Sequence, residues 1–488
     1  MFFKNLLKTK KYKKTNFLFD DYKNFLVDDN KETKLCYNFF VEDDALTSGL
    51  GFQNITLPIA EGSQTERTLD QVSKVKCDLW HFPCYDKATN TRQDKVFCST
   101  ECGNLLYFDI FALSRTPVIL ETNFDVLPSG VTYTKDDVDK MLFSASGKLT
   151  SFQVGEFASV EAILPQFVDL VWAYDRLFGV VEGKRDEILF SNILDPTMWT
   201  LDEEKIVLND NQGSANKLVY FNDDLFVFRD YGITRISEFG VAKDIELFNV
   251  YSSKSKIYGK TVVHCGNKIL FLARNGLYSF NGSKVQKILP MLTKYLGRFN
   301  NKNACGVFDG QNYLLACKLN FFDDKLIGCE DYEEGFTNNA VIVYNVFDES
   351  VNVVRGVDIR SMLKVNSQGV EKVFVTFFGE HKTKIAMLDC SGKIFDKSLP
   401  KCWQSKKFDF GALDKTKNVR EIFVRAYSDC IVSVQTDIEV ESYVVVGKND
   451  VQRIKTFVRG KEIAVEVLAE DTSKILPLKL VVEEEKWL

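Results

Sequence analysis

The chain reads as an all-β protein: a β-propeller of six or seven blades followed by a C-terminal antiparallel β-sandwich. Three observations carry this expectation. A turn followed by a strongly apolar strand recurs with a period of about 40 residues, the spacing of a four-stranded blade. β-branched and aromatic residues dominate the apolar set, with 40 Phe and only 5 Trp in 488 residues, which favours strands over helices. From about Trp403 onward the turn signal gives way to evenly spaced amphipathic runs with period two. The length would suit several ordinary domains, but all-β architectures run longer as one unit. With 45% hydrophobic residues there is ample material for a large core.

In chain order, residues 1–35 read as a charged arm with alternating Lys and Asp/Glu clusters around a few aromatics, either a solvated tail or an arm that orders on a neighbouring subunit. Its lysines at 4, 8, 10, 11, 13 and 14 leave no uninterrupted apolar core, so a secretory signal is not expected. No window approaches the roughly 18 apolar residues of a spanning helix, and a soluble protein is expected. Twelve scattered cysteines fit reduced thiols and synthesis in a cytoplasm. The propeller is expected over 36–400. Cys36 to Val41 reads as a strand, Ala45 to Pro58 (ALTSGLGFQNITLP) as an apolar stretch punctuated by glycine, and residues 60–73 as a loop.

The repeating turn stands before LLYF at Cys102-Gly103-Asn104, before Leu149, before LFGVV at Tyr174-Asp175-Arg176, and before LFVF at Asn222-Asp223-Asp224. It returns before ILFL at Gly266-Asn267-Lys268, before LYSF at Asn275-Gly276, before YLLA at Asp309 to Asn312, and at Cys390 to Lys393. Gly, Asn and Asp gather there because tight hairpins need positive φ. Helical signal is thin: one turn at Lys135 to Met141, and a short helix within Lys287 to Arg298 near Pro290. Residues 401–488, from WQSKKFDFG to PLKLVVEEEKWL, are expected to form the sandwich.

The most informative stretch is Ile188 to Phe239. Lys217 to Phe221, Leu225 to Arg229 and Ile233 to Ser237 are three apolar runs broken by Asn222-Asp223-Asp224 and Asp230-Tyr231-Gly232, which predicts a tight meander. Before it, Ile188 to Phe190 is a strand, Asp195-Pro196 a turn, and Trp199 the residue that anchors the loop.

Little points to catalysis. The three histidines, His81, His264 and His381, assemble no nucleophile-base-acid order, and GxSxG, HExxH and Walker patterns are absent. Cys77, His81, Cys84, Cys98 and Cys102 lie close together in the sequence, and thiolates with imidazole suit zinc. Their spacings, however, are not the paired two-residue knuckles of a zinc ribbon, so buried or turn cysteines are expected. Ser191 to Trp199 has a passing likeness to the Asp-box turn of sialidases, and Asp223-Asp224 offers two carboxylates. The box glycine is missing and the turn does not recur, so a glycosidase is disfavoured. No catalytic, cofactor or metal site is expected. The net charge of −6 gives no case for a polyanion binder. The insertion Asn320 to Asn339 is acidic and carries Phe321, Phe322, Tyr332 and Phe336, suiting either a solvated loop or a receptor contact.

The run ILFSNILDPTMW followed by KLVYFNDDLFVFRDYGITRI resembles β-propeller virion proteins of tailed bacteriophages, of which podophage tail nozzles are the best known. Phe190, Ser191, Asp195, Pro196 and Trp199 match the first part of that pattern, and Leu218, Phe221, Asp223, Leu225, Val227 and Phe228 the second. ALTSGLGF near the start agrees, as does Trp403 with Phe408-Asp409-Phe410-Gly411 opening a terminal sandwich. The resemblance implies a non-enzymatic tail or neck subunit that forms a ring with copies of itself, a hexamer, contacts other virion proteins and surrounds the passage of genomic DNA. It also implies residence in the virion after synthesis in the bacterial cytoplasm. The alternative expectation is a receptor- or glycan-binding tail-tip propeller.

Overall fold

In the computed structural model, seven blade-like sheets follow one another along the chain: five are four-stranded and antiparallel, the third has five strands, and the seventh has six. Described are residues 11–484 except 20–25, 27–32, 56–77, 100–102, 112–116, 200–204, 238–244, 322–334, 471–473 and a few pairs or single positions. The innermost strands of blades 1 to 7 are Leu79–Asp86, Ser129–Lys135, Phe167–Ala173, Ala215–Phe221, Val263–Cys265, Cys305–Phe308 and Asp358–Ser367. Each packs beside the start of the next blade, and the last packs against the first, so the ring is closed. Blade 7 takes its fourth strand from the other end of the chain: Gly51–Asn54 pairs antiparallel with Lys382–Asp389. The glycine-punctuated segment ALTSGLGF divides between two sheets: Ala45–Ser48 pairs with Phe39–Glu42, and Gly51-Phe52 begins the strand that locks the ring.

The hairpins form where the turn chemistry puts them. Tyr174-Asp175 and Asn222-Asp223 both have paired positive φ angles, matching the right-handed twist of the strands they join. Asp136-Asp137 does the same, which corrects the helical turn expected at Lys135 to Met141: two adjacent Asp residues reverse the chain into Val138–Ala145. The second short helix is real but smaller, Leu292–Leu296. The expected turn-plus-apolar-run signal lands on the second strand in blades 3, 4 and 6, on the third in blades 1 and 2, and on both in blade 5. These middle strands are sandwiched between neighbouring blades, as Arg176–Val181 and Ala340–Asn345, buried along their whole length, demonstrate. Their equal burial explains why blade count was ambiguous in the sequence, and the count is seven.

The sandwich draws on both chain ends. One sheet orders Lys11–Phe17, Leu478–Glu484, Lys417–Arg425 and Val451–Lys455; the other orders Thr33–Tyr37, Lys401–Ser405, Ile463–Ala469, Cys430–Thr436 and Val440–Val445. The arm expected over 1–35 is therefore corrected for Lys11–Phe17, a strand paired along its whole length with Leu478–Glu484. The propeller boundary at 36 is corrected as well, because Thr33–Tyr37 pairs with Lys401–Ser405 of the sandwich. Alternating β-formers at both ends complete sheets that residues 401–488 alone would leave open.

Sandwich and propeller share one hydrophobic cluster in which Leu35, Tyr37 and Cys402 pack with Leu315, Ile342 and Val353 of blade 6. Asn38, at φ 61, stitches the joint: its N–H donates to the Val353 carbonyl (2.9 Å). Its amide nitrogen donates to the carbonyls of Arg355 (3.2 Å) and Pro400 (2.7 Å), and its side-chain oxygen accepts from the Arg355 N–H (2.7 Å). The sandwich is thus docked on the outer strand of blade 6, Val351–Arg355.

Candidate functional site: the blade 3 hairpin and its acidic rim

Blade 3 carries the residues of the D-P-x-x-W pattern, and its burial decides what each can do. Phe190 is buried and meets Phe178 at 5.6 Å between ring centroids, with the Arg176 guanidinium 5.4 Å from its ring. Ser191 is fully buried; its hydroxyl accepts from the Leu177 N–H (2.9 Å) and donates to the Asn192 carbonyl (3.0 Å). Both residues are spent on packing and on satisfying the backbone.

The expected Asp195-Pro196 turn is corrected: the reversal sits at Ile193-Leu194, and Asp195–Trp199 is a short outer strand. Leu194 adopts φ 57, a conformation that costs a branched side chain about 1 kcal/mol or more, and its N–H donates to the Asp175 carbonyl (2.7 Å). Trp199 closes this strand on the blade. Its indole N–H donates to the Pro196 carbonyl (2.6 Å) and its ring stacks on Phe167 at 5.2 Å.

Asp195 is the hinge of the arrangement. One carboxylate oxygen accepts from the Thr197 N–H (3.0 Å) and hydroxyl (2.6 Å), and the other pairs with Lys135 of blade 2 at 3.1 Å. Burial works against its ionisation, but the Thr197 hydrogen bonds and Lys135 outweigh it and hold the carboxyl below its usual range. Asp223 lies exposed at the blade 4 turn. With Asp175 and Asp224 it surrounds Tyr220, whose hydroxyl is pushed up by burial and then by these carboxylates. The rim of blades 3 and 4 is therefore acidic, with Tyr174 and Tyr220 edge-to-face at 5.3 Å inside it. Phe228, fully buried, tightens blade 4 onto blade 5 through Phe271 at 5.4 Å.

The remaining singled-out residues lie elsewhere. Trp403 is fully buried in the sandwich core, edge-on to Phe19 at 5.0 Å. Gly411 (φ 75) follows it at a turn and donates its N–H to Asp409 (2.8 Å). Of the cysteine and histidine cluster, Cys77 and Cys102 fall outside the described residues. Cys84 packs among Phe82, Phe97 and Phe143 on the side facing blade 2, while Cys98 packs with Leu79 and Val96 on the opposite face. Burial pushes the Cys84 thiol up to about 12. His81 instead donates to the fully buried Asp94 (2.7 Å), which also accepts from the Ser367 hydroxyl of blade 7. A serine, an aspartate and a histidine do meet here, but with the carboxylate in the middle. The imidazole cannot take the serine proton, and the trio serves as a clasp between blades 1 and 7. His264 lies beside Phe221 and the Gly266 carbonyl; His381 is outside the described residues.

At the axis, Lys260 of the turn leading into blade 5 reaches Asp78 at the start of blade 1 (2.8 Å). These blades are not neighbours in the ring, so the pair bridges the axial opening. Sequence reasoning missed Lys135, Phe167, Leu194 and Lys260. Lysine beside Asp136-Asp137 could have hinted at the first, whereas no local pattern marks a leucine at positive φ or a contact between distant blades.

No family model matches the chain, and no curated protein matches its sequence. Solved structures align with it in part. BBS1N in complex with ARL6DN aligns with 11% identity and a TM-score of 0.41, covering 61% of this chain and 88% of that one. The extracellular domain of a putative one-component system of B. thetaiotaomicron aligns with 8% identity and a TM-score of 0.42, covering 87% of this chain and 57% of that one.

Proposed function

We propose that the chain is a non-enzymatic structural subunit of a tailed-phage virion, a tail or neck ring component that surrounds the DNA-exit passage with further copies of itself. The observation that supports this most is how the residues of the phage-like pattern are used. Phe190, Ser191, Asp195, Pro196 and Trp199 are all engaged in packing, hydrogen bonds or the tie to blade 2, building a stiff wall rather than a cleft. A propeller clasped by Gly51–Asn54 and tied to its sandwich through Asn38 suits the wall of a ring better than a moving enzyme.

The passage would lie between subunits, since Lys260 and Asp78 span the propeller axis. A hexameric ring, neighbouring virion proteins and residence in the particle belong to the same proposal. Electron microscopy of the purified full chain, with mass spectrometry of mature particles, tests it: rotationally symmetric rings and presence in the particle are expected, and a strict monomer absent from particles overturns it. The exposed tip at Ile193-Leu194 is what favours the second reading, a receptor-contact propeller. Under that reading Leu194→Asp abolishes adsorption to host cells while particles still assemble.

A further inference from the structure

We infer that the polar basin between blades 3 and 4, on the end of the propeller away from Ile193-Leu194, binds a neutral saccharide. The inference stands on this basin alone, whether the chain serves in a ring wall or at a receptor.

Strand order sets its position. In blade 3 the turns at Tyr174-Asp175 and Ile193-Leu194 share one end, joined through the Leu194 N–H and the Asp175 carbonyl. The turn over 182–186, between Arg176–Val181 and Glu187–Asn192, therefore lies at the other end. There the chain passes from blade 3 to blade 4 through residues 208–214. This passage and that turn enclose a hollow of about 490 Å³, within the roughly 300–1,000 Å³ of small-ligand sites.

The walls of the hollow are fixed from beneath. Arg229, 1% exposed, forms part of the floor. It donates from Nε (3.0 Å) and Nη2 (2.9 Å) to the Gly213 carbonyl and from Nη1 to Asp210. Asp210 also accepts from the Gln212 N–H (3.0 Å) and from the Asn249 amide (2.9 Å). The passage is pinned to both blades: the Leu208 N–H donates to the Asp186 carbonyl (2.9 Å), the Ala215 N–H to the Arg185 carbonyl (2.8 Å), and the Asp230 N–H to the Ser214 carbonyl (2.8 Å). Burying a guanidinium costs several kcal/mol before its partners offset it, and here it holds a surface loop in one shape. Such support preorganises the groups that the loop presents.

Those groups are unused inside the subunit. Asp186, Asn209 and Asn211 line the hollow and are exposed. Among the described residues, neither their side chains nor the Ser214 hydroxyl has a hydrogen-bond or ion-pair partner. Tyr231 flanks the mouth, 41% exposed, and a Cβ added to Gly213 would stand 3.2 Å from its ring.

Charge and hydrogen bonding select the ligand class. Arg229 pairs with Asp210, Arg185 with Glu182 (2.8 Å), Lys184 with Glu187 (3.7 Å) and Lys256 with Asp230 (3.1 Å). Asp186 is left over, so an anion meets a net negative mouth. A cation finds one unpaired carboxylate, and no three His, Cys, Asp or Glu among the described residues are placed to hold a metal. An apolar ligand would strip water from amides and a carboxylate without replacing their hydrogen bonds. The hydroxyls of a sugar ring each donate and accept, which two amides, a carboxylate and a hydroxyl can match. Its C–H face packs on an aromatic ring such as that of Tyr231.

The test is glycan-array binding by the full chain, followed by isothermal titration with the neutral glycan that binds best and with an acidic glycan of the same core. Neutral glycans are expected to bind, and Asn211→Ala and Tyr231→Ala are each expected to weaken binding about tenfold or more. Asn211→Ala should leave Tm unchanged, because its amide holds nothing within the subunit, and this separates lost contact from lost folding. An array with no neutral glycan bound, tighter binding of the acidic glycan, or an affinity untouched by both substitutions overturns the inference. The ring reading, judged by microscopy of the parent chain, stands or falls independently of these outcomes.

Discussion

Trp199 and Asp195 each do one job, and the two jobs can be separated by measurement. The Trp199 ring is stacked on Phe167 and tied to the Pro196 carbonyl but is only partly buried. Trp199→Ala is therefore expected to cost about 2–3 kcal/mol, somewhat less than a fully buried aromatic. Urea unfolding checks this, and an unchanged midpoint would remove the anchoring role. Asp195 has a folded-state carboxyl held below its usual range. The unfolded chain therefore takes up the proton first: the Asp195 contribution is complete above about pH 4 and is lost as pH falls through the lower folded value. Because Lys135 is 39% exposed, that contribution is no more than about 1 kcal/mol. Stability measured against pH for Asp195→Asn should show a shallower acid limb than the parent. His81 acts in a higher window. Burial lowers its basicity despite Asp94, so the unfolded chain binds its proton first on acidification. Stability is expected to decline as pH falls below about 6.5 toward the folded value, and His81→Gln should remove that part of the decline.

At the scale of strands and joints, Asn38 and the first strand decide how two layers become one body. Asn38→Ala deletes the bonds to the Arg355 and Pro400 carbonyls and the acceptor for the Arg355 N–H. A loss of about 2–4 kcal/mol is expected from three buried hydrogen bonds at roughly 1 kcal/mol each, seen as faster proteolysis between sandwich and propeller. Truncation through Phe17 strips the partner of Leu478–Glu484 and bares a long edge strand; light scattering should then report aggregation. Which elements were legible in the sequence follows the same physics. Asn222-Asp223 and Tyr174-Asp175 announce their hairpins because paired positive φ has a strong local residue preference. The meander over 217–237 stands as the sequence predicts. Leu194 hid its turn because a leucine at positive φ satisfies no such preference. Lys11–Phe17 looked like a charged arm because its lysines carry no sign of the strand at the far end of the chain that pairs with them.

For the whole molecule, seven blades and a sandwich follow from a repeat that the sequence displays, whereas the closure does not. The pairing of Gly51–Asn54 with Lys382–Asp389 and the bridge from Lys260 to Asp78 join residues that share no local pattern, and only the completed ring brings them together. The candidate site was legible as a set of residues but not as an arrangement: Asp195 and Trp199 were visible, their ties to Lys135 and Phe167 were not. The closure also sets a schedule for biosynthesis. The ring-locking strand emerges early and its partner late, so at about 5–20 residues per second Gly51–Asn54 waits on the order of tens of seconds for an edge to join. The ends wait longer still, for Leu478–Glu484 must appear before Lys11–Phe17 has a neighbour. A nascent chain of this protein accordingly carries its first strands open until Leu478–Glu484 has been made, and the subunit closes only after all seven blades have emerged.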